Sequence, residues 1–131
     1  MKKTRNSQHL LNLHSAIIEI IFNTIKNTVK NYKSVSIKAN HSLMFKSDYG
    51  FLNIELLPFD KQFQFVLNSK KASKIQVVSI AALDYIEPSL SFFLETGEFS
   101  EDEFTKHLDA FKREYIEMER LEGLYEIFSF E

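Results

Sequence analysis

The four histidines are the side chains best suited to bind a metal ion or to transfer a proton. His9 and His14 are five positions apart, which on a helix separates them by about 140° and places them on different faces. His41 lies in a predicted bend, and His107 lies near the border of a predicted helix. The sequence leaves open a site that joins His14, His41 and His107, with solvated or hydrogen-bonded imidazoles as the ordinary alternative. Our prediction is that no metal is bound.

Other reactive groups are missing or scattered. The chain has no cysteine, which excludes thiol catalysis, cysteine metal sites and disulfides. Its three glycines form no glycine-rich loop that could hold a phosphate, and its serines lack the context of a nucleophile elbow. We therefore expect no catalytic residues, no cofactor and no enzymatic activity.

Carboxylates crowd around Gly97. The five acidic residues of this segment are Glu95, Glu98, Glu101, Asp102 and Glu103. Acidic side chains near a helix N-terminus interact favourably with the helix dipole, but five exceed that need. The surplus predicts a negative surface that docks on a cationic groove, such as the substrate channel of a nuclease. The predicted partner-binding residues are Glu98, Glu101, Asp102, Glu114 and Glu117.

The charges are unevenly divided along the chain. Residues 1–75 hold 12 Lys and Arg against 4 Asp and Glu, a net charge of +8, whereas residues 76–131 hold 4 against 14, a net charge of −10, which together give the total of −2. One interpretation is that the two parts face each other and neutralise. The other is a bipolar surface that steers a charged partner toward it.

Nucleic acid is a less favoured partner. Lysines of the first part could form a basic surface, with Tyr49 and Phe51 available for stacking. Against this, the sequence pI is about 6.1 and nearly all other aromatic residues fit core positions.

The first element that could position such surfaces is a helix over residues 7–32. One apolar stripe repeats at three- and four-residue steps and predicts a buried face: Leu11, Ile18, Phe22, Ile25, Val29 and Tyr32. A second stripe, Leu10, Leu13, Ile17 and Ile20, lies beside it and predicts that the helix is covered on two sides. The second stripe would pack under a later helix or against a second copy of the chain, as a dimer interface.

Alternating apolar residues predict strands over residues 34–39, 43–46, 51–56 and 62–67, joined by short turns as an antiparallel meander. Residues 74–86 combine strand and helix preferences, and the sequence leaves their structure open.

Helix signals dominate the remainder of the chain. Pro88 is expected at a first helical position, which gives a short helix over residues 90–95 that Gly97 ends. Ser100 with Glu103 forms a predicted capping box, and Phe99 with Phe104 a hydrophobic staple, so a helix should start there and end at Gly123. Its predicted buried stripe is Phe104, Leu108, Phe111, Tyr115 and Met118. Residues 124–130 alternate and predict a last strand.

Together these patterns predict a single domain over residues 1–131 with an α+β fold, in which a long N-terminal helix and C-terminal helices pack on a mostly antiparallel sheet of about four to six strands. No apolar run is long enough to span a membrane, and we expect a cytoplasmic protein. Lys outnumbers Arg 13 to 3, as AT-rich coding and bacterial mobile elements would produce. The expected function is a non-catalytic interaction module, an immunity protein or inhibitor that neutralises a toxin. A homodimeric structural or regulatory protein and a nucleic-acid-binding protein are the alternatives.

Overall fold

The computed structural model describes residues 16–38, 41–57 and 61–129, with side chains described as far as Glu117. Helix α1 covers residues 16–28 and is followed by five strands: β1 Ser34–Lys38, β2 Ser42–Lys46, β3 Gly50–Leu57, β4 Gln62–Ser69 and β5 Ser73–Ser79. A 3₁₀ turn, Ile80–Ala82, leads into α2, Leu83–Thr96, and α3, Glu101–Ser129, follows. The predicted α+β class is confirmed.

The sheet is a meander, as predicted. Its strand order is β1-β2-β3-β4-β5, and each neighbouring pair is antiparallel. Alternate strand residues are buried on one face, as the period of two requires. These inner side chains include Phe45 of β2, Ile54 of β3 and Phe65 of β4, and they form one core with the buried sides of the helices. All three helices therefore lie on the same face of the sheet.

The first stripe of α1 is confirmed where the structure describes it. Ile18, Phe22, Ile25 and Val29 are buried in the core, and Leu11 lies outside the described residues. Tyr32 is only partly buried against the core and lies beyond the end of the helix. The helix ends at residue 28 and not near Tyr32.

Two hydrogen bonds to α2 explain why α1 ends earlier than predicted. The amide of Lys30 donates to Ser91 Oγ over 3.0 Å, and the side-chain amide of Asn31 donates to the Ser91 carbonyl over 3.1 Å. Asn31 has the left-handed φ of 71°, which turns the chain out of the helix and toward β1.

The second stripe of α1 does not pack under a later helix where the structure describes it, so that alternative is wrong there, while cover by a second copy stays a prediction. Ile17 is 54% exposed and Ile20 is 66% exposed, while Leu10 and Leu13 lie outside the described residues. Within one copy of the chain, the described helix is thus covered on one side only, since its first stripe belongs to the core and its second stripe does not.

The residues 74–86, whose structure the sequence left open, contain a strand and then a helix, since β5 ends at Ser79 and α2 begins at Leu83.

The predicted role of Pro88 is wrong, because this residue lies inside α2 and not at its start. A proline inside a helix removes one backbone hydrogen bond and costs about 3 kcal/mol. The helix nonetheless extends upstream, since burial of Leu83 and Ile86 favours it. Gly97 ends α2 as predicted.

The start of α3 is confirmed and its end is not. The amide of Glu103 donates to Ser100 Oγ over 3.2 Å, and the Phe99 and Phe104 rings lie 5.3 Å apart. However, α3 continues through Gly123 to Ser129, so the strand predicted over residues 124–130 is wrong over residues 124–129, and residue 130 lies outside the described part. A short apolar run fits either period, and one glycine weakens a helix by only about 1 kcal/mol.

Candidate protein-interaction surfaces

The acidic segment, which runs from the end of α2 into the first turn of α3, is anchored to the β4–β5 turn. Gly97 adopts a left-handed φ of 77°, and its amide donates to the Phe93 carbonyl over 2.6 Å. Ser69 Oγ, which accepts the amides of Lys71 and Ala72 in the turn, also donates to the Gly97 carbonyl over 2.5 Å. The acidic segment is therefore held at its first residue after α2.

Two predicted partner-binding residues form ion pairs with lysines of that turn and of the adjoining strand β5. Glu98 lies 3.8 Å from Lys71, and both carboxylate oxygens of Glu101 lie 2.9 Å from the ammonium of Lys74. The Lys74 side chain is only 16% exposed, and its ammonium lies over the ring of Phe104 at 5.2 Å from the centroid. At this place the basic and acidic parts of the chain face each other and neutralise.

The other three predicted residues lie on α3. Asp102 is exposed and forms no ion pair or hydrogen bond with any residue that the structure describes. Glu114 accepts a short hydrogen bond from the Tyr85 hydroxyl of α2. This bond, together with desolvation and the charge of Glu114, raises the pKa of Tyr85 above its ordinary value of 10.0. Glu117 is exposed.

The predicted set is divided into two groups. Glu98, Glu101 and Asp102 lie where α3 begins, whereas Glu114 and Glu117 follow about 20 Å further along the helix at about 1.5 Å per residue. An interface of standard size is wide enough to include both groups.

Sequence reasoning misplaced Tyr115. Phe104 and Phe111 of the predicted stripe are buried, and Leu108 packs against the core, but Tyr115 is 45% exposed and Met118 lies beyond the described side chains. All side chains over residues 112–117 are exposed. Tyr115 lies at the edge of the core: its ring packs on that of Phe111 at 5.4 Å, and both rings line an open cleft with Ile21 and Ile80.

The histidines do not form a metal site among the described residues, which contain no group of three metal-ligating side chains. His107 Nε2 lies 4.0 Å from Glu103, and both line an open cleft of about 290 Å³ between α2 and α3, with Phe92 on the other side. His9 and His14 lie outside the described part of the chain.

The outer face of the sheet is a surface that the sequence reasoning missed. We call it the open sheet face, because the described helices all lie on the opposite face. The strand registers place its side chains in four rows: Ser34, Lys46, Phe51, Asn68 and Ser73; Ser36, Met44, Asn53, Val66 and Ile75; Lys38, Ser42, Glu55, Gln64 and Val77; Leu57, Gln62 and Ser79. Its only charged strand residues are Lys38, Lys46 and Glu55. The sequence signal that could have revealed this surface is the scarcity of charged residues at the outward positions of the strands.

The lysines considered for nucleic-acid binding are partly engaged with acids. Lys33 lies 2.6 Å from Asp48, and Lys71 and Lys74 contact the acidic segment. Tyr49 and Phe51 are exposed, as stacking would require. Nucleic-acid binding stays a prediction that this arrangement does not strengthen.

None of the helices in the described ranges combines the length and the apolar character needed to cross a membrane. In comparisons with known proteins, no family model matches the chain, and no curated protein or solved structure matches it either.

Proposed function

We propose that the chain is a non-catalytic protein-interaction module that binds and neutralises a partner protein. The proposed partner is a cationic toxin such as a nuclease domain, which makes this chain an immunity protein or inhibitor. The proposal places it in the cytoplasm of a bacterium that carries the corresponding mobile element.

One observation carries the proposal: every described side chain of α3 after Phe111, over residues 112–117, is exposed. The exposed side chains there include two carboxylates, Glu114 and Glu117, and two large apolar groups, Tyr115 and Ile116. A helix presented in this way can lie in a partner's groove, where apolar anchors supply binding energy and charges supply selectivity. Acidic residues at the contact suit a groove lined by Lys and Arg.

In this proposal the acidic segment contributes less uncompensated negative charge to the interface than its five carboxylates suggest. Since Glu98 and Glu101 are paired with Lys71 and Lys74, part of their charge is already compensated inside the chain. Asp102 has no such pair among the described residues and extends the proposed surface to the start of α3. A partner would displace the exposed Lys71 pair at little cost, because surface ion pairs contribute about 0–1 kcal/mol.

A homodimeric regulatory protein is the second candidate. The observation that favours it is the exposure of Ile17 and Ile20 on α1, which belong to the predicted dimer stripe.

The first candidate can be tested by affinity capture from host extract, with the wild-type chain and an Asp102→Lys/Glu117→Lys variant as baits. We expect the wild-type chain to capture a basic protein and the variant to recover at least about tenfold less of it, since reversed charges repel the cationic groove. The purified partner should then lose its activity, such as nucleic-acid cleavage, when the wild-type chain is added.

The matched control is Glu19→Lys/Asp84→Lys, which makes the same change of charge at exposed positions on α1 and α2. It should capture the partner as the wild-type chain does. Equal recovery by all three baits would remove α3 from the interface.

A further inference from the structure

We propose that the open sheet face is a homodimer interface, on which two copies of this chain pack sheet against sheet. This interface is separate from the exposed part of α3 and from the second stripe of α1.

The composition of the face fits contact with protein better than contact with water. Ile75 is 65% exposed, and Val77 and Phe51 are also exposed on the same face. Most of the other outward side chains are Ser, Asn and Gln, which can form hydrogen bonds across an interface without the desolvation cost of a charge. Depletion of charge with retained aromatic and aliphatic groups is typical of the centre of an interface.

The face is also large enough. Five strands about 4.8 Å apart, with outward rows spanning about 23 Å along the strands, give a projected area of about 550 Å² on each copy. Two copies would bury about 1,100 Å² in total before the relief of the side chains is counted, which exceeds the roughly 1,000 Å² needed for a specific contact. We therefore expect a dimer of moderate affinity.

The strand registers favour a second copy as the occupant. A two-fold axis that lies between the sheets, perpendicular to the strands, sets the row of Ile75 on the row of Val77 from the other copy. Ile75 of each copy then contacts Val77 of the other copy, and Phe51 contacts Leu57 of the other copy. Glu55 lies against Asn53 of the other copy. The alternative axis, parallel to the strands, would set Glu55 against Glu55 of the other copy and is disfavoured by charge repulsion. The face is thus complementary to itself in one orientation.

The test is sedimentation equilibrium of the wild-type chain and of two single variants, Ile75→Glu and Ile20→Glu. These residues are matched, since they are 65% and 66% exposed, but Ile75 is on the open sheet face and Ile20 is on the second stripe of α1. We expect a concentration-dependent wild-type dimer, a dissociation constant at least about tenfold higher for Ile75→Glu, and no change for Ile20→Glu. Circular dichroism should show that both variants keep the wild-type fold.

A second measurement uses the absence of native cysteine. An equimolar mixture of Ile75→Cys and Val77→Cys chains, treated with a short bifunctional thiol reagent, should cross-link faster than either variant alone, because the proposed axis brings these two positions together.

In the sedimentation experiment, a strictly monomeric wild-type chain at millimolar concentration would overturn the proposal. So would a dimer that Ile20→Glu dissociates and Ile75→Glu does not, or one that neither variant affects.

Discussion

The ammonium of Lys74 binds both carboxylate oxygens of Glu101 at 2.9 Å while it lies over the Phe99 and Phe104 rings. One inward-pointing lysine of an edge strand thus joins β5 to the start of α3. An inward charge on an edge strand also discourages pairing with strands of other molecules.

Replacing Lys74 with Ala should lower the free energy of unfolding by about 1–2 kcal/mol, because the change removes an ion pair, two ring contacts and a largely buried aliphatic stem. Urea unfolding at low and high salt measures the loss. Lys71→Ala is the control, since its pair with Glu98 is longer and exposed, and it should change stability by less than about 0.5 kcal/mol. Equal effects of the two changes would contradict this account.

Ser91 should stabilise the contact between α2 and the residues that follow α1. Its hydroxyl accepts the Lys30 amide and donates to Glu87, so Ser91→Ala leaves a partly buried amide without its acceptor. We expect a loss of about 1–2 kcal/mol in thermal or urea unfolding. Ser89 is equally buried on the same helix and forms no hydrogen bond with a described residue, so Ser89→Ala should cost less than about 0.5 kcal/mol.

Any side chain at Gly97 should destabilise the fold. Its φ of 77° strains a residue that has a Cβ, and an added Cβ would lie 3.2 Å from the Cβ of Tyr49. Gly97→Ala should therefore destabilise the fold by about 1–2 kcal/mol. Gly97→Asn should cost less, because asparagine enters the left-handed region more readily. The melting temperatures of the two variants compare these effects, and an alanine variant as stable as the wild type would contradict the assigned conformation.

Alkaline pH should weaken the contact between Tyr85 and Glu114. The pKa of Tyr85 is raised by its hydrogen bond to Glu114, by desolvation and by nearby carboxylates, so the phenol keeps its proton longer in the folded chain than in the unfolded one. Its stabilising contribution is complete below pH 10.0 and is lost as the pH rises through the raised pKa. Ultraviolet difference titration should show one tyrosine with late ionisation, absent from Tyr85→Phe and shifted earlier in Glu114→Gln.

Local patterns predicted much of this fold. The buried stripe of α1, the meander and the start of α3 depend on periodicity and on signals within a few residues, and all three are confirmed where they are described. The errors arose where distant packing decided the structure. Burial of Leu83 and Ile86 extends α2 ahead of Pro88, and the residues after Gly123 continue a helix although their alternation suggested a strand.

The candidate surfaces were harder to predict for the same reason. Sequence identified the acidic residues but not the pairing of Glu98 and Glu101 with lysines 27 positions away. Alternation along the strands showed which side chains point away from the core. It could not show that the described helices leave that whole face uncovered, since this depends on where three helices pack.

The chain order of the strands has a kinetic consequence. Because β1 through β5 pair strictly in succession, no pairing has to wait for a distant segment, and each new strand can add to a hairpin already formed in about 1–10 μs. On a ribosome, the complete meander would emerge from the exit tunnel before α2 and α3 do, with its apolar side bare in the meantime. We expect the nascent chain to need shielding, by α1 or by a chaperone, until the later helices arrive.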